Sequence, residues 1–424
     1  MHLYRMLFAK SLNLRMRFFL LSGILWLLSL CNLQAQTWTV YDTANSGLTH
    51  NGVTRLQQDS SGQVWIGTLG GGLNSFDGSF WGLQSSSNSF IPGDSIFALA
   101  RDKQGFLWAG TEGGLGWRFG LGIWNVYDTN NSPLPENRIR SVFADPAGDI
   151  WAGTSMGIAW LDNPTWTLFN RTNSGMRGDL HHGINTVDKD GRLWAVTRDG
   201  GIGIYDSGVW SNYDTGNSGL PVNDIQVAFQ DFFGDIWIGT HGGGLVQFER
   251  LLWNVIDTNN SAIPGMHITC IKEELPGRLW IGFAGQGLAL FENGNWTHYT
   301  AANSGLPNDS VNDILIEKGE RIWVATNHGL AVSQTIISVE EARQNKVQLQ
   351  LFPNPAHEEA HLLIHAARPY QGHLEIRNAL GQVLQKRWLK APQGRREISL
   401  NTANLSPGVY FIRWGEAVLR FVKN

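Results

Sequence analysis

Gly62-Gln63-Val64-Trp65-Ile66-Gly67-Thr68 decides the fold, because the chain returns to it at a fixed interval. Its tryptophan recurs at Trp108, Trp151, Trp194, Trp237, Trp280 and Trp323, each step 43 residues. Six of the seven copies close on the same threonine (Thr68, Thr111, Thr154, Thr197, Thr240, Thr326), and the seventh has Phe283. A second series, Trp38, Trp81, Trp124, Trp166, Trp210, Trp253 and Trp296, keeps the same period, with only Trp166 one residue out of step. A constant period of this length means one supersecondary unit stacked many times.

Within one period the sequence breaks into four short runs. In the second copy they are Ile96–Asp102, Phe106–Thr111, Gly114–Phe119 and Ile123–Asp128, rich in β-branched and aromatic residues and bounded by Gly, Asp, Asn and Pro. Four strands in this span make the blade of a β-propeller, whose period is about 40–45 residues. Inner strands begin at Val53, Ile96, Ile139, His182, Ile225, Ile268 and Val311, which is seven. The last copy, Val311–Ser333, stops before an outer strand, while the chain opens with a spare one, Trp38–Asp42. Pairing the two removes two open sheet edges. The expectation is therefore an all-β chain with a seven-bladed β-propeller closed by its N-terminal strand. Its repeated tryptophans should wedge between blades, each burying about 150–250 Å², at most roughly 4–6 kcal/mol. Packing ranks ahead of sugar stacking for them, since they recur at every strand centre.

The chain has 424 residues, 42% hydrophobic, 16% charged, with 50 glycines, so it is turn-rich and long enough for more than one core. Residues 1–35 read as a secretory signal: Arg15 and Arg17, the apolar run Phe18–Leu30, then Leu33-Gln34-Ala35 before Gln36. The 13-residue run is short for a membrane span, so no membrane span is expected after cleavage. Met16 is an alternative start. Cys31 raises a lipoprotein reading, against which Leu30 is the wrong preceding residue. Cleavage would leave Cys270 as the sole thiol, without a disulfide partner. From Gln36 to Lys346 there are 18 Lys+Arg against 31 Asp+Glu, a net of −13; from Val347 on, 10 against 5, a net of +5. An acidic propeller argues against nucleic acid as partner.

After a linker at 334–346 the 43-residue period ends. Strands read at Gln348–Phe352, His361–His365, His373–Arg377, Val383–Trp388, Glu397–Leu400, Val409–Trp414 and Val418–Val422 predict a small Ig-like β-sandwich over 347–424.

Two resemblances rest on particular residues. Asn217–Asp224, Ile225–Asp231, Gly234–Thr240 and Gly243–Leu245 resemble the two-component regulator propeller repeat, which forms the periplasmic sensor propellers of hybrid histidine kinases in Bacteroidetes-type bacteria. No transmembrane helix, kinase or helix-turn-helix module follows here, so the resemblance implies the sensing architecture and not phosphorelay signalling. Leu351-Phe352-Pro353-Asn354-Pro355, Asn378–Val383 and Leu405–Phe411, with Lys423 near the end, resemble the type A sorting domain of the type IX secretion system. That resemblance implies export through the outer membrane, and the type IX machinery as a partner of residues 347–424. An adhesion or carbohydrate-binding sandwich is the plainer alternative for the tail.

In such a propeller the outer-to-inner loops and the second-to-third loops share one face. The first set holds His50, Asn51, Asp94, Glu136, Asn137, Asp179, His181, Asn223, His267, Asn308 and Asp309; the second holds Glu112, Arg198, Asp199, His241, Gln286, Asn327 and His328. Imidazoles and carboxylates around one mouth suit a sugar, a metal or acid–base work, although loops collect polar residues in any case. The candidate ligand-binding set is His50, Glu112, Glu136, His181, His182, Arg198, Asp199, His241, His267 and His328. His182 stands where the other inner strands begin with Val or Ile, and a satisfied, partly buried histidine is the first reading of it. Gly70-Gly71-Gly72 and Gly242-Gly243-Gly244 join strand to strand with no helix to hold a phosphate. Asp188-Lys189-Asp190-Gly191 looks like part of a calcium loop, but Asp59–Gly62 and Asp145–Gly148 show the same Asp and Gly to be turn chemistry. No Gly-x-Ser-x-Gly elbow occurs. The expectation is a secreted or cell-surface binding propeller for a glycan or protein, with no cofactor and no metal. The alternative is a polysaccharide lyase or hydrolase on the same scaffold.

Overall fold

The computed structural model describes residues 38–120, 123–162, 164–178, 183–249, 251–317, 321–333, 347–352, 354–366, 370–378, 382–391, 394–414 and 417–423. The expected leader, the linker, and His181 with His182 lie outside them. The chain divides into two compact units after Gln334.

The first unit holds seven four-stranded antiparallel sheets of the propeller kind. Sheet one runs Val53–Gln58, Val64–Thr68, Leu73–Phe76 and Trp81–Gln84 in spatial as in sequence order. Inner strands of sheets two to seven are Ile96–Arg101, Ser141–Ala144, Gly183–Val187, Ile225–Gln230, Ile268–Leu275 and Val311–Glu317. Each touches the inner strand of the next sheet, and that of sheet seven touches that of sheet one. Sheet seven takes its outer strand from the other end of the unit: Trp38–Tyr41 pairs with Gly329–Ser333, Trp38 opposite Ser333 and Tyr41 opposite Leu330.

One link recurs in every sheet. The indole N–H of Trp65, Trp108, Trp151, Trp194 and Trp237 donates to an aspartate six residues earlier (Asp59, Asp102, Asp145, Asp188, Asp231), and that of Trp280 and Trp323 donates to Glu274 and Glu317, at 2.8–3.1 Å. The same aspartates accept amide protons of the turn they open, as Asp231 does from Phe233 and Asp235. One carboxylate thus shapes the first hairpin and orients the wedge. The wedges are buried and their cores cross sheet boundaries. Trp237 lies among Ile268, Ile271, Leu279 and Ile281 of sheet six, and Trp323 among Val53, Leu56 and Ile66 of sheet one. In the second series Trp124 and Trp210 are buried, while Trp38, Trp81, Trp166, Trp253 and Trp296 are half-buried on outer strands.

The recurring threonine ties the next turn. In six sheets its hydroxyl donates to a glycine carbonyl three or four residues on, as Thr240 does to Gly244 at 2.7 Å. Gly244 has φ 81°, and a Cβ there would lie 2.5 Å from the Ile256 carbonyl, so only glycine fits. Phe283 keeps the backbone bond to Gly287 and adds apolar bulk instead.

Asp188 carries a pH dependence. Burial raises its carboxyl, but hydrogen bonds from Trp194 and Arg192 outweigh this and hold it below the ordinary 3.8. A lowered folded value stabilises the fold above the unfolded value, and that stabilisation is lost as pH falls through the folded one. Acid unfolding followed by tryptophan fluorescence should therefore set in at higher pH in Arg192→Gln than in the parent, below about pH 4. An unchanged acid limb would contradict this.

The second unit holds two sheets, one of Val347–Phe352, Glu359–Ala366 and Gly394–Asn401, the other of Val383–Ala391, Tyr370–Asn378, Gly408–Trp414 and Ala417–Lys423. Leu362 and Ile364 of the first share a core with Leu374, Ile376, Ile412, Trp414 and Phe421 of the second. Seven strands fall where alternation places seven.

Candidate functional site: the rim pocket

The loops expected to share a face do meet, sheet by sheet. Amides of the second-to-third loops donate to carbonyls of the loop entering the next sheet: Gly72 to Asp94, Gly201 to Asn223, Gly242 to Met266, Gly285 to Asp309 and Gly329 to Asn51, at 2.7–3.1 Å. The last of these joins sheet seven to sheet one.

Much of the polar chemistry on this rim holds the rim together. Asn51, Asp94, Asn137, Asn223 and Asp309 each accept the amide of the residue eight positions earlier, at 2.7–2.8 Å. Glu112 accepts from the amides of Asp94 and Ser95, and Glu136 from the amide and hydroxyl of Ser155. Asp199 is ion-paired with Arg171. His50 Nδ1 accepts from the Gly52 amide at 2.9 Å, and His328 Nδ1 lies 3.1 Å from Asn308 Nδ2.

One sector is different. Arg198, Asp224, His241 and His267, from sheets four, five and six, line a cavity of about 270 Å³. The His241 and His267 rings meet edge to face with centroids 4.3 Å apart, and the two residues form a β-bridge. His241 Nδ1 lies 3.3 Å from Asp224 Oδ2. His267 Nδ1 is buried with no hydrogen-bond partner among the described residues, as is Gln286 Oε1 on the neighbouring loop. Of the ten candidates, then, the structure brings Arg198, His241 and His267 together and sets His50, Glu112, Glu136, Asp199 and His328 apart from them. His181 and His182 fall outside the described residues. Asp224, which directly precedes the inner strand of sheet five, was not among the candidates read from the sequence. Among the described residues no group of three or more His, Cys, Asp or Glu is gathered as a metal site would need.

Residues 47–70, 91–113 and 133–156 match the two component regulator propeller family, and residues 350–423 match the secretion system C-terminal sorting domain. The first unit therefore carries regulator propeller repeats and the second a sorting-domain match. The sorting domain implies export to the cell surface or beyond it. Among the described residues no helix is long and apolar enough to cross a membrane.

The fold is shared with the extracellular domain of the putative hybrid two component system BT3049 of B. thetaiotaomicron, at TM-score 0.61, 19% identity, 92% of this chain and 57% of that one. It is shared with PorZ, a surface component of the type-IX secretion system of Porphyromonas gingivalis, at 0.52, 16% identity, 91% of this chain and 60% of PorZ. The chain thus spans less than two thirds of either. A catalytically inactive virginiamycin B lyase from Staphylococcus aureus, with quinupristin, aligns at 0.57 and 16% identity over 70% of this chain and 99% of the lyase. No curated protein matches.

Proposed function

We propose that the chain is a secreted or surface-displayed binding protein that takes a glycan or a protein at the rim pocket. The reading divides the chain into an export leader at 1–35, a propeller at 36–333, a linker at 334–346 and a small Ig-like sorting domain at 347–424. The propeller has seven blades and is closed by its N-terminal strand. Seven four-stranded sheets support the blade count. The ladder between Trp38–Tyr41 and Gly329–Ser333, with the Asn312 side-chain amide donating to the Val53 carbonyl at 2.8 Å, supports the closure.

The observation that carries the binding role is His267 Nδ1, a buried polar atom without a partner among the described residues, in a cavity that also holds Arg198, Asp224 and His241. A buried polar atom left unpaired is costly, and an outside ligand or water that supplies its partner recovers that cost. Fluorescence or calorimetric titration of hits from a glycan array and a cell-surface pull-down, using the chain from Gln36, tests this. Binding is expected to weaken at least about tenfold in His267→Ala and in His241→Ala, a loss of about 1.4 kcal/mol. A chain that captures neither glycan nor protein, or variants that bind like the parent, would refute it.

The imidazole of His241 beside the Asp224 carboxylate favours a second reading, a polysaccharide-active enzyme with a carboxylate-oriented base. Lack of product across a polysaccharide panel discards it.

A further inference from the structure

The axis of the propeller is not empty chemically. Inner strands surround a cavity of about 330 Å³, near the lower end of the range of about 300–1,000 Å³ seen for small-molecule sites. Its walls carry Arg55, Arg101, Arg140 and Lys272 against one described carboxylate, Asp313. The Asp313 oxygens are already engaged by the amides of Leu56 and Ile314, both at 2.9 Å. Four cations thus turn inward in a propeller that is otherwise acidic.

Their hydrogen-bond state is the second observation. Arg101 Nε, Arg140 Nε and Ser141 Oγ are buried and have no partner among the described residues. A guanidinium is donor only and stays charged, so each Nε needs an acceptor that the described residues do not give it. Burial first, and the nearby Arg138 next, lower the Arg140 pKa, with Glu136 offsetting part of this. Arg101 lies three residues further along its strand than Ser141, with its guanidinium beside Gly105. Arg140 Nε and Ser141 Oγ, successive on one inner strand of a positive cavity, fit one kind of guest: oxygens carrying negative charge, to which charge-assisted bonds are short and strong.

We infer that the axial cavity is a binding site for a small oxyanion, with Arg140 and Ser141 donating to it and Arg55, Arg101 and Lys272 adding charge. The site goes beyond the rim reading and stands without it, because none of these five residues lines the rim pocket. Gln226 and Thr269 line both cavities, so the two adjoin. The oxyanion is either a free inorganic ion or the acidic group of a sugar, and both present the same oxygens.

The test is calorimetric titration of the full chain from Gln36 with sodium sulfate, sodium phosphate and methyl glucuronide, at low and raised sodium chloride. Saturable one-to-one binding that weakens with salt is expected. Arg140→Gln should weaken it at least tenfold, and Ser141→Ala and Arg101→Gln severalfold, while Lys189→Gln, on an exposed turn elsewhere, leaves it unchanged. Tighter binding of the glucuronide than of sulfate and phosphate assigns the acidic sugar; the reverse order assigns the free ion. Should either arginine variant fail to fold, Ser141→Ala and the melting temperature of the parent against added sulfate carry the test, with a rise expected. No binding of any of the three anions, or equal loss in Lys189→Gln and Arg140→Gln, overturns the site.

Discussion

Trp237→Ala should cost the propeller about 3–5 kcal/mol, the range for emptying a large aromatic site in a core. The ring is buried between sheets five and six, against Ile268, Ile271, Leu279 and Ile281, so its removal opens a cavity that two sheets line. It also removes the 2.8 Å indole bond to Asp231, a carboxylate that is itself buried. Trp237→Phe separates the two contributions. It keeps most of the apolar volume and loses only the donor, leaving Asp231 with its two amide bonds, and should cost about 1–3 kcal/mol. Guanidinium unfolding of both variants measures this. A cost below about 1 kcal/mol for the alanine variant would show that the wedge is dispensable.

The second large effect concerns the strand from the chain's start. Removing Trp38–Tyr41 should destabilise the propeller by roughly 5 kcal/mol, from four residues of ladder at about 1 kcal/mol per bond plus lost apolar contact. Tyr41 packs edge-on to Trp81 of sheet one at 5.5 Å, and Trp38 packs on the core shared by sheets six and seven. The deletion also leaves Gly329–Ser333 an open edge, so self-association by size-exclusion chromatography should accompany the loss. A rearranged chain distinguishes loss of the strand from shortening. Trp38 pairs with Ser333 as Trp81 pairs with Phe76, and Asp77–Phe80 spans the latter pair. A chain starting at Asp42, with a copy of Asp77–Phe80 and then Trp38–Tyr41 placed after Ser333, should recover the parent's stability. A deletion that melts like the parent would remove the closing role.

The repeat made most of this legible. A 43-residue period, strand-length runs and turn residues were enough to place the sheets, and the missing outer strand of the last copy pointed to Trp38–Asp42 as its replacement. The partner of each wedge was not legible. Asp59, Asp145 and Asp188 read as turn formers, and only the fold shows the same oxygens reaching the indole six residues on. The axial cations were missed for a different reason. In five of the seven inner strands the register with the second strand shifts within the first three residues, skipping Thr54, Phe97, Gln226, Thr269 and Asn312, and in sheet four it shifts at Asn185. Such a bulge lets two successive residues line the axis, as Thr269 with Cys270 and Asn312 with Asp313 do, so period-two alternation no longer tells inside from outside. The rim pocket was half legible: loop topology located Arg198, His241 and His267, but not that these three would meet.

Each indole–carboxylate link is completed within a single sheet, six residues from its start, and asks nothing of the neighbours. What passes between sheets is apolar packing, the rim bonds from one loop's amide to the next loop's carbonyl such as Gly72 to Asp94, and a few side-chain bonds such as Thr54 to the Ile96 carbonyl. A sector can therefore be transplanted whole from one repeat position to another, and the graft has only two seams to match. Tandem duplication of a 43-residue unit, followed by drift confined to rim and axis, is a history that this construction permits without ever passing through an unfolded ancestor.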